Sequence, residues 1–172
     1  MSLMRAARPL HPMVWLGAPA LVCAGLTMLF AVPLRVFGLG LPEPVFGLVL
    51  AFAWPIIRPS VLAPFVLLVY GLFTDLYWGS PTGLWGLSLL VAYAGALSVR
   101  GLMQGQSPLV TWLWFATIGA VAMATAYFLS VLSSLNTPSL IAVALQYLVT
   151  VALYPFAGRL IERFEDADVR FR

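Results

Sequence analysis

Side chains able to do chemistry are few in this sequence: His11, Cys23, and two acids, Glu43 and Asp75, ahead of a charged C-terminal stretch. General acid–base catalysis needs a titratable group within hydrogen-bond reach of the proton it moves. His11 closes the N-terminal stretch MSLMRAARPLH, which the topology derived below places on the cytoplasmic side, whereas Asp75 falls near the other face, so the two are not expected to form a dyad. Cys23 stands alone in an apolar run, which excludes an internal disulfide and reads as a buried, inert thiol. The sequence holds no Gly-rich phosphate loop, HExxH, GxSxG or Cys/His metal cluster. What remains is one bare carboxylate, Asp75, within YGLFTDLYWGSPTGLWGLSLLVAY and just before a turn rich in Gly, Ser, Pro and Thr. A carboxylate in that place can accept hydrogen bonds from the backbone of the turn, or meet a partner.

The segments that hold these residues are apolar throughout. Of 172 residues, 62% are hydrophobic and 9% charged, and the mean hydropathy is +1.00; a soluble domain carries roughly 25% charged residues. The composition implies an integral membrane protein. About 20 residues of helix cross the roughly 30 Å of hydrocarbon, and the pattern predicts six spans in one polytopic domain over residues 1–172. They are Met13 to Val36, Pro44 to Ile57, Val61 to Trp78, Leu84 to Val99, Leu109 to Leu132 and Ser139 to Leu160. The second is short and hemmed by Pro42, Pro44, Pro55 and Pro59. Uniformly apolar runs exclude the alternating strands of a membrane β-barrel. The first run outlasts the apolar core of a signal peptide and lacks an A-x-A-like site, so it reads as a retained span. With six spans, Arg5, Arg8, Arg58, Arg100, Arg159, Arg163, Arg170 and Arg172 share one face and only Arg35 takes the other, which puts both termini in the cytoplasm. The net charge of +3 is thereby topological, and dispersed arginines do not make a nucleic-acid patch.

In this topology Asp75 lies about one helical turn inside the outer interface, with Tyr77, Trp78 and Trp85 in an aromatic belt. A carboxylate costs roughly 2.5–3.5 kcal/mol at the centre of a spanning helix and less near its end. Two readings stay open: a functional or partner contact, or a carboxylate that snorkels to water or satisfies N–H groups of the following turn, Gly83 and Leu84 among them. Glu43, in the outer connection LPEP, faces the same side as Arg35 and could pair with it. Ala20 with Ala24, Ala116 with Ala120 and Ala124, and Gly79 with Gly83 and Gly86 are spaced for close helix packing. The tail GRLIERFEDADVRFR places Leu160, Ile161 and Phe164 on one helical face and is expected to extend the sixth helix out of the membrane.

The order LPEPVFGLVLAFAWPIIRPS and then YGLFTDLYWGSPTGLWGLSLLVAY resembles the MreD family of rod-shape-determining membrane proteins. The likeness rests on a short Pro-bounded second span ending near an Arg-Pro, here Arg58 and Pro59. It continues in a run G-L-x-x-D-x-x-x-G-x-P-x-G-L, here Gly71, Leu72, Asp75, Gly79, Pro81, Gly83 and Leu84. It covers residues 42–93, and Phe73 and Thr74 depart from the mostly aliphatic neighbours expected before the acid. The resemblance implies a non-enzymatic, cofactor-free subunit of the bacterial elongation machinery in the inner membrane. Its implied fold is similar to the six-helix substrate-binding subunits of energy-coupling-factor vitamin transporters. The implied partners are MreC directly and, through it, the RodA glycosyltransferase, the elongation penicillin-binding transpeptidase and MreB. Asp75, Gly79, Pro81 and Gly83, with Trp78 and Arg58, form the candidate partner-binding or structural site.

Two other readings use the same residues. A vitamin-transporter subunit would dock through Ala20 and Ala24, but Glu43, Asp75, Asn136 and a few hydroxyls are sparse for bracketing a polar vitamin. An enzyme acting on lipid-linked sugar within the membrane would use Asp75 as acid or base, and it would lack a second ionisable group beside it.

Overall fold

Proline and glycine set the limits of the helices in the computed structural model, which describes residues 12–30, 35–36, 39–40, 42–134 and 138–169. Pro12 opens α1 (Pro12–Phe30), Pro64 lies in the first turn of α3 (Ala63–Trp78), and Pro108 opens α5 (Pro108–Ser134). First-turn N–H groups have no intrahelical acceptor, so proline loses nothing there. Arg58 shows the complementary effect. It follows α2 (Phe46–Ile57) with φ −155° and ψ 101°, because the ring of Pro59 disfavours helical backbone at the residue before it. Gly105, at φ 75°, turns the chain from α4 (Leu84–Met103) towards α5, and α6 (Leu140–Val169) closes the order. Between α1 and α2, β1 (Arg35–Val36) and β2 (Leu39–Gly40) pair antiparallel, Arg35 opposite Gly40 and Val36 opposite Leu39.

The shortest helix is the centre of the arrangement. α2 packs against all five others, and eight of its twelve residues are buried. Around it α1, α3, α4, α5 and α6 follow in turn, each touching the next, while α1 and α6 make no contact among the described residues. The ring is therefore open along one side. Phe52 of α2 meets Phe115 of α5 edge-on at 5.3 Å and Tyr154 of α6 at 5.5 Å, and Phe115 and Tyr154 stack at 4.3 Å. Such aromatic pairs contribute about 0.5–1.5 kcal/mol beyond the area they bury. Polar side chains tie neighbours together at backbone carbonyls: the Trp112 indole donates to Val151 at 3.0 Å and the Tyr147 hydroxyl to Ala116 at 2.8 Å.

Among the described residues the chain is all-α apart from the β1–β2 pair, with six helices. Two of them, Leu84–Met103 and Pro108–Ser133, are long and apolar enough to cross a membrane; the other apolar helical stretches are shorter. Most of the expected segments recur as helices within a few residues, and α6 runs on through the tail to Val169. The first span differs. It was expected to reach Val36, but Arg35–Val36 is extended and paired, in a Gly-rich stretch (FGLG) whose composition favours turns over helix. The small-residue face expected on α5 also moves. Ala120 and Ala124 are exposed, and Phe115, Ala122 and Ala126 face the core instead, because the Phe115–Tyr154 stack fixes the rotation of the helix.

One buried polar link joins distant parts of the chain. The N–H of Val45 donates to the Thr150 hydroxyl at 3.0 Å, and that hydroxyl donates to the Gln146 carbonyl at 2.7 Å. Thr150→Val keeps the shape and leaves the Val45 N–H without its acceptor, an expected loss of about 1–2 kcal/mol. The check is a lower midpoint of thermal unfolding in detergent, with Thr117→Val, at an exposed position, unchanged.

Candidate functional site

The α3–α4 junction forms around two glycines in left-handed backbone, a conformation that favours glycine. Gly79 ends α3 at φ 65° and Gly83 precedes α4 at φ 92°, values that penalise any residue with a Cβ. The N–H groups of Gly79 and Ser80 both return to the carbonyl of Asp75, the latter at 2.9 Å. The Ser80 bond is the 6→1 closure of a Schellman motif and the Gly79 bond the 5→1 closure of an αL cap, both on one carbonyl. Leu84 N–H then donates to the Pro81 carbonyl at 3.1 Å. The glycines and the proline of the GSPTG segment thus each have a local backbone role.

Asp75 holds this junction from inside. Its side chain is fully buried, at 0% exposure, and both carboxylate oxygens are engaged. Oδ1 accepts from the Ser80 hydroxyl and from the Trp85 N–H, each at 3.0 Å, and Oδ2 accepts from the Gly83 N–H at 2.7 Å. Gly83 lends α4 no capping side chain of its own. Asp75 supplies that cap from the preceding helix, placing negative charge where the α4 N-terminus carries its unsatisfied donors and positive dipole end.

Of the readings left open for Asp75, snorkelling to water falls away, since the side chain is fully buried with three donors from its own chain. Trp85 does not belong to an exposed belt, since it is buried and meets Trp78 edge-on at 5.2 Å, while Tyr77 is exposed. Gly79 and Gly83 serve the turn and not a helix–helix face. Gly86 does serve one, together with Gly71: a Cβ added to Gly71 would fall 2.4 Å from the Cα and N of Gly86, so α3 and α4 cross there backbone against backbone.

Glu43 joins the same end of the molecule. The Trp78 indole N–H donates to its carboxylate, and Gln146 donates to its backbone carbonyl at 3.0 Å. The segment before α2 is thereby tied to α3 and α6. The pairing of Glu43 with Arg35 falls outside the residues whose side chains are described, as do His11 and Asn136. Arg58 is exposed beyond the end of α2, while the junction is at the far end of α3, so the six candidate residues do not form one cluster. Cys23 is half-buried, and its carbonyl accepts from Thr27, whose hydroxyl meets that of Tyr70 at 2.9 Å.

Ser80, Glu43 and Gln146 were not singled out as members of this site, although Ser80 was signalled by its place in the turn five residues after the acid. Compared with protein families, with curated proteins and with solved structures, the chain matches none of them.

Proposed function

We propose that the chain is a non-enzymatic, multi-pass subunit of the bacterial inner membrane, of the MreD type, that binds MreC within the cell-elongation complex. The observation carrying this reading is the Asp75-pinned junction. The residues on which the resemblance rests, Gly71, Asp75, Gly79, Pro81 and Gly83, each have a distinct physical task in shaping it. A carboxylate with both oxygens engaged by its own chain is suited to holding a surface in shape, and poorly suited to moving protons. The recognition element in this reading is the turn that Asp75 shapes, where Gly79 and Thr82 are exposed, with Trp78 and Glu43 beside it.

Membrane embedding is supported by the two long apolar helices and by the many large apolar side chains on the outside of the bundle, such as Leu21, Phe65, Leu76, Phe128 and Ile141. Exposed apolar surface on that scale needs lipid, or its equivalent, as solvent.

The test is recovery of partners on a tagged copy expressed from its own locus and extracted in mild detergent. MreC with RodA or the transpeptidase is the expected catch. Paired ATPases with a coupling membrane protein would make the chain a transporter subunit and defeat the proposal. Asp75→Ala is expected to reduce MreC recovery at matched abundance, and unchanged recovery would remove the junction from the interface.

A further inference from the structure

The outward side of α3 is an unbroken apolar stripe made of Phe65, Leu68, Val69, Leu72 and Leu76, a spacing that keeps all five on one helical face. The exposed apolar surface begins just before the helix, at Val61 and Leu62, with the exposed Arg58 ahead of it and the exposed Thr82 beyond its far end. The sixteen residues of α3 rise about 24 Å at ~1.5 Å per residue, short of the roughly 30 Å of an average hydrocarbon layer. α5 behaves otherwise. Its exposed apolar residues run from Leu109 through Leu113, Val121 and Phe128 to Leu132, about 35 Å along the axis by the same rise. α3 and α5 pack against α4 and not against each other among the described residues, so the long and short faces look out from different parts of the bundle.

From these lengths, and resting on the membrane reading above, we infer that α3 presents a lipid-contact face fitted to a thin hydrocarbon layer, so that the bilayer thins beside α3 and not beside α5. A helix longer than the bilayer can tilt; a shorter one gains no reach by tilting and is accommodated by thinner lipid, by snorkelling flanks or by association with another helix. Lipid suits this face better than another helix does. Helix–helix contacts in membranes use small residues for close approach and polar side chains as links, and the stripe has neither. The small residues of α3, Ala63, Gly71 and Thr74, are all buried inside the bundle.

The test uses the intact chain in vesicles of myristoleoyl, oleoyl or erucoyl phosphatidylcholine, each competed against its brominated counterpart, with quenching of the native tryptophans reporting relative lipid binding. The expected result is a preference for the myristoleoyl lipid over the erucoyl lipid of about twofold or more, since mismatch costs fractions of a kcal/mol per Å. Equal binding across the series, or strongest binding of the erucoyl lipid that α5 alone would favour, overturns the inference and leaves the membrane reading standing. A chain that fails to enter vesicles of any composition overturns both. Circular dichroism in each lipid establishes that the helices are intact.

Discussion

Asp75→Ala is expected to destabilise the protein more than any other single truncation of a polar side chain. The substitution removes the acceptor for three donors at once: the N–H groups of Gly83 and Trp85 and the Ser80 hydroxyl. Each buried donor left without its acceptor costs about 1–3 kcal/mol, so the loss for the three together is expected to be about 3 kcal/mol or more, and the lost carboxylate at the α4 N-terminus adds to that. The conservative variants grade the effect. Asp75→Asn can keep a carbonyl at Oδ1 for Trp85 and Ser80, but its amide then points at the Gly83 N–H, for an expected loss of about 1–3 kcal/mol. Ser80→Ala leaves both backbone bonds in place and should cost about 0.5–1.5 kcal/mol. Thermal unfolding followed by the monodisperse fraction in one detergent ranks the series. If Asp75→Ala were as stable as Ser80→Ala, the pin would be a crystal-like detail of geometry with no energetic weight.

Gly71→Ala is the second large effect, and it comes from contact rather than charge. Ordinary overpacking costs about 1–3 kcal/mol because side chains move aside. Here the new methyl would meet backbone atoms of Gly86 at 2.4 Å, and helix backbone cannot swing aside as a side chain can, so a loss of about 3 kcal/mol or more is expected. Gly101→Ala is the control, for a Cβ there meets nothing within 4 Å. In a helix that substitution gains roughly 0.5–1 kcal/mol through the unfolded chain. Opposite shifts in unfolding midpoint for the two variants are the expected outcome, and a neutral Gly71→Ala would mean that α3 and α4 can separate freely.

What could be read from the sequence divides along a physical line. Helix limits were legible where proline or left-handed glycine sets them, as at Arg58–Pro59, Gly79 and Gly83. Facing was not. In a soluble helix the polar side marks the outside, but a helix such as α5 is apolar on every side, so periodicity gave no reason to choose Ala122 and Ala126 over Ala120 and Ala124. The aromatic stack of Phe115 with Tyr154 makes that choice, and it joins residues from different helices. Asp75 was conspicuous for the same reason that its surroundings were obscure: a charge stands out in an apolar run, while the donors that satisfy it are backbone atoms, which every sequence has. The capping of the turn was among the readings left open, and its partners proved to be Gly83 and Trp85 where Gly83 and Leu84 were expected.

The three donors to Asp75 lie five, eight and ten residues after it. Contacts so near in sequence close a small loop, a step that takes about 10–100 ns in a flexible chain of ten residues and loses little entropy. The buried centre of the molecule is the opposite case. α2 needs all five of its neighbours to cover it, and the Val45 N–H at its threshold waits for a hydroxyl 105 residues further along. The donors that satisfy Asp75 thus all come from the turn and the first turn of α4, with no later part of the chain required. The middle of the molecule, early in sequence, has its full set of contacts only once α6 is in place.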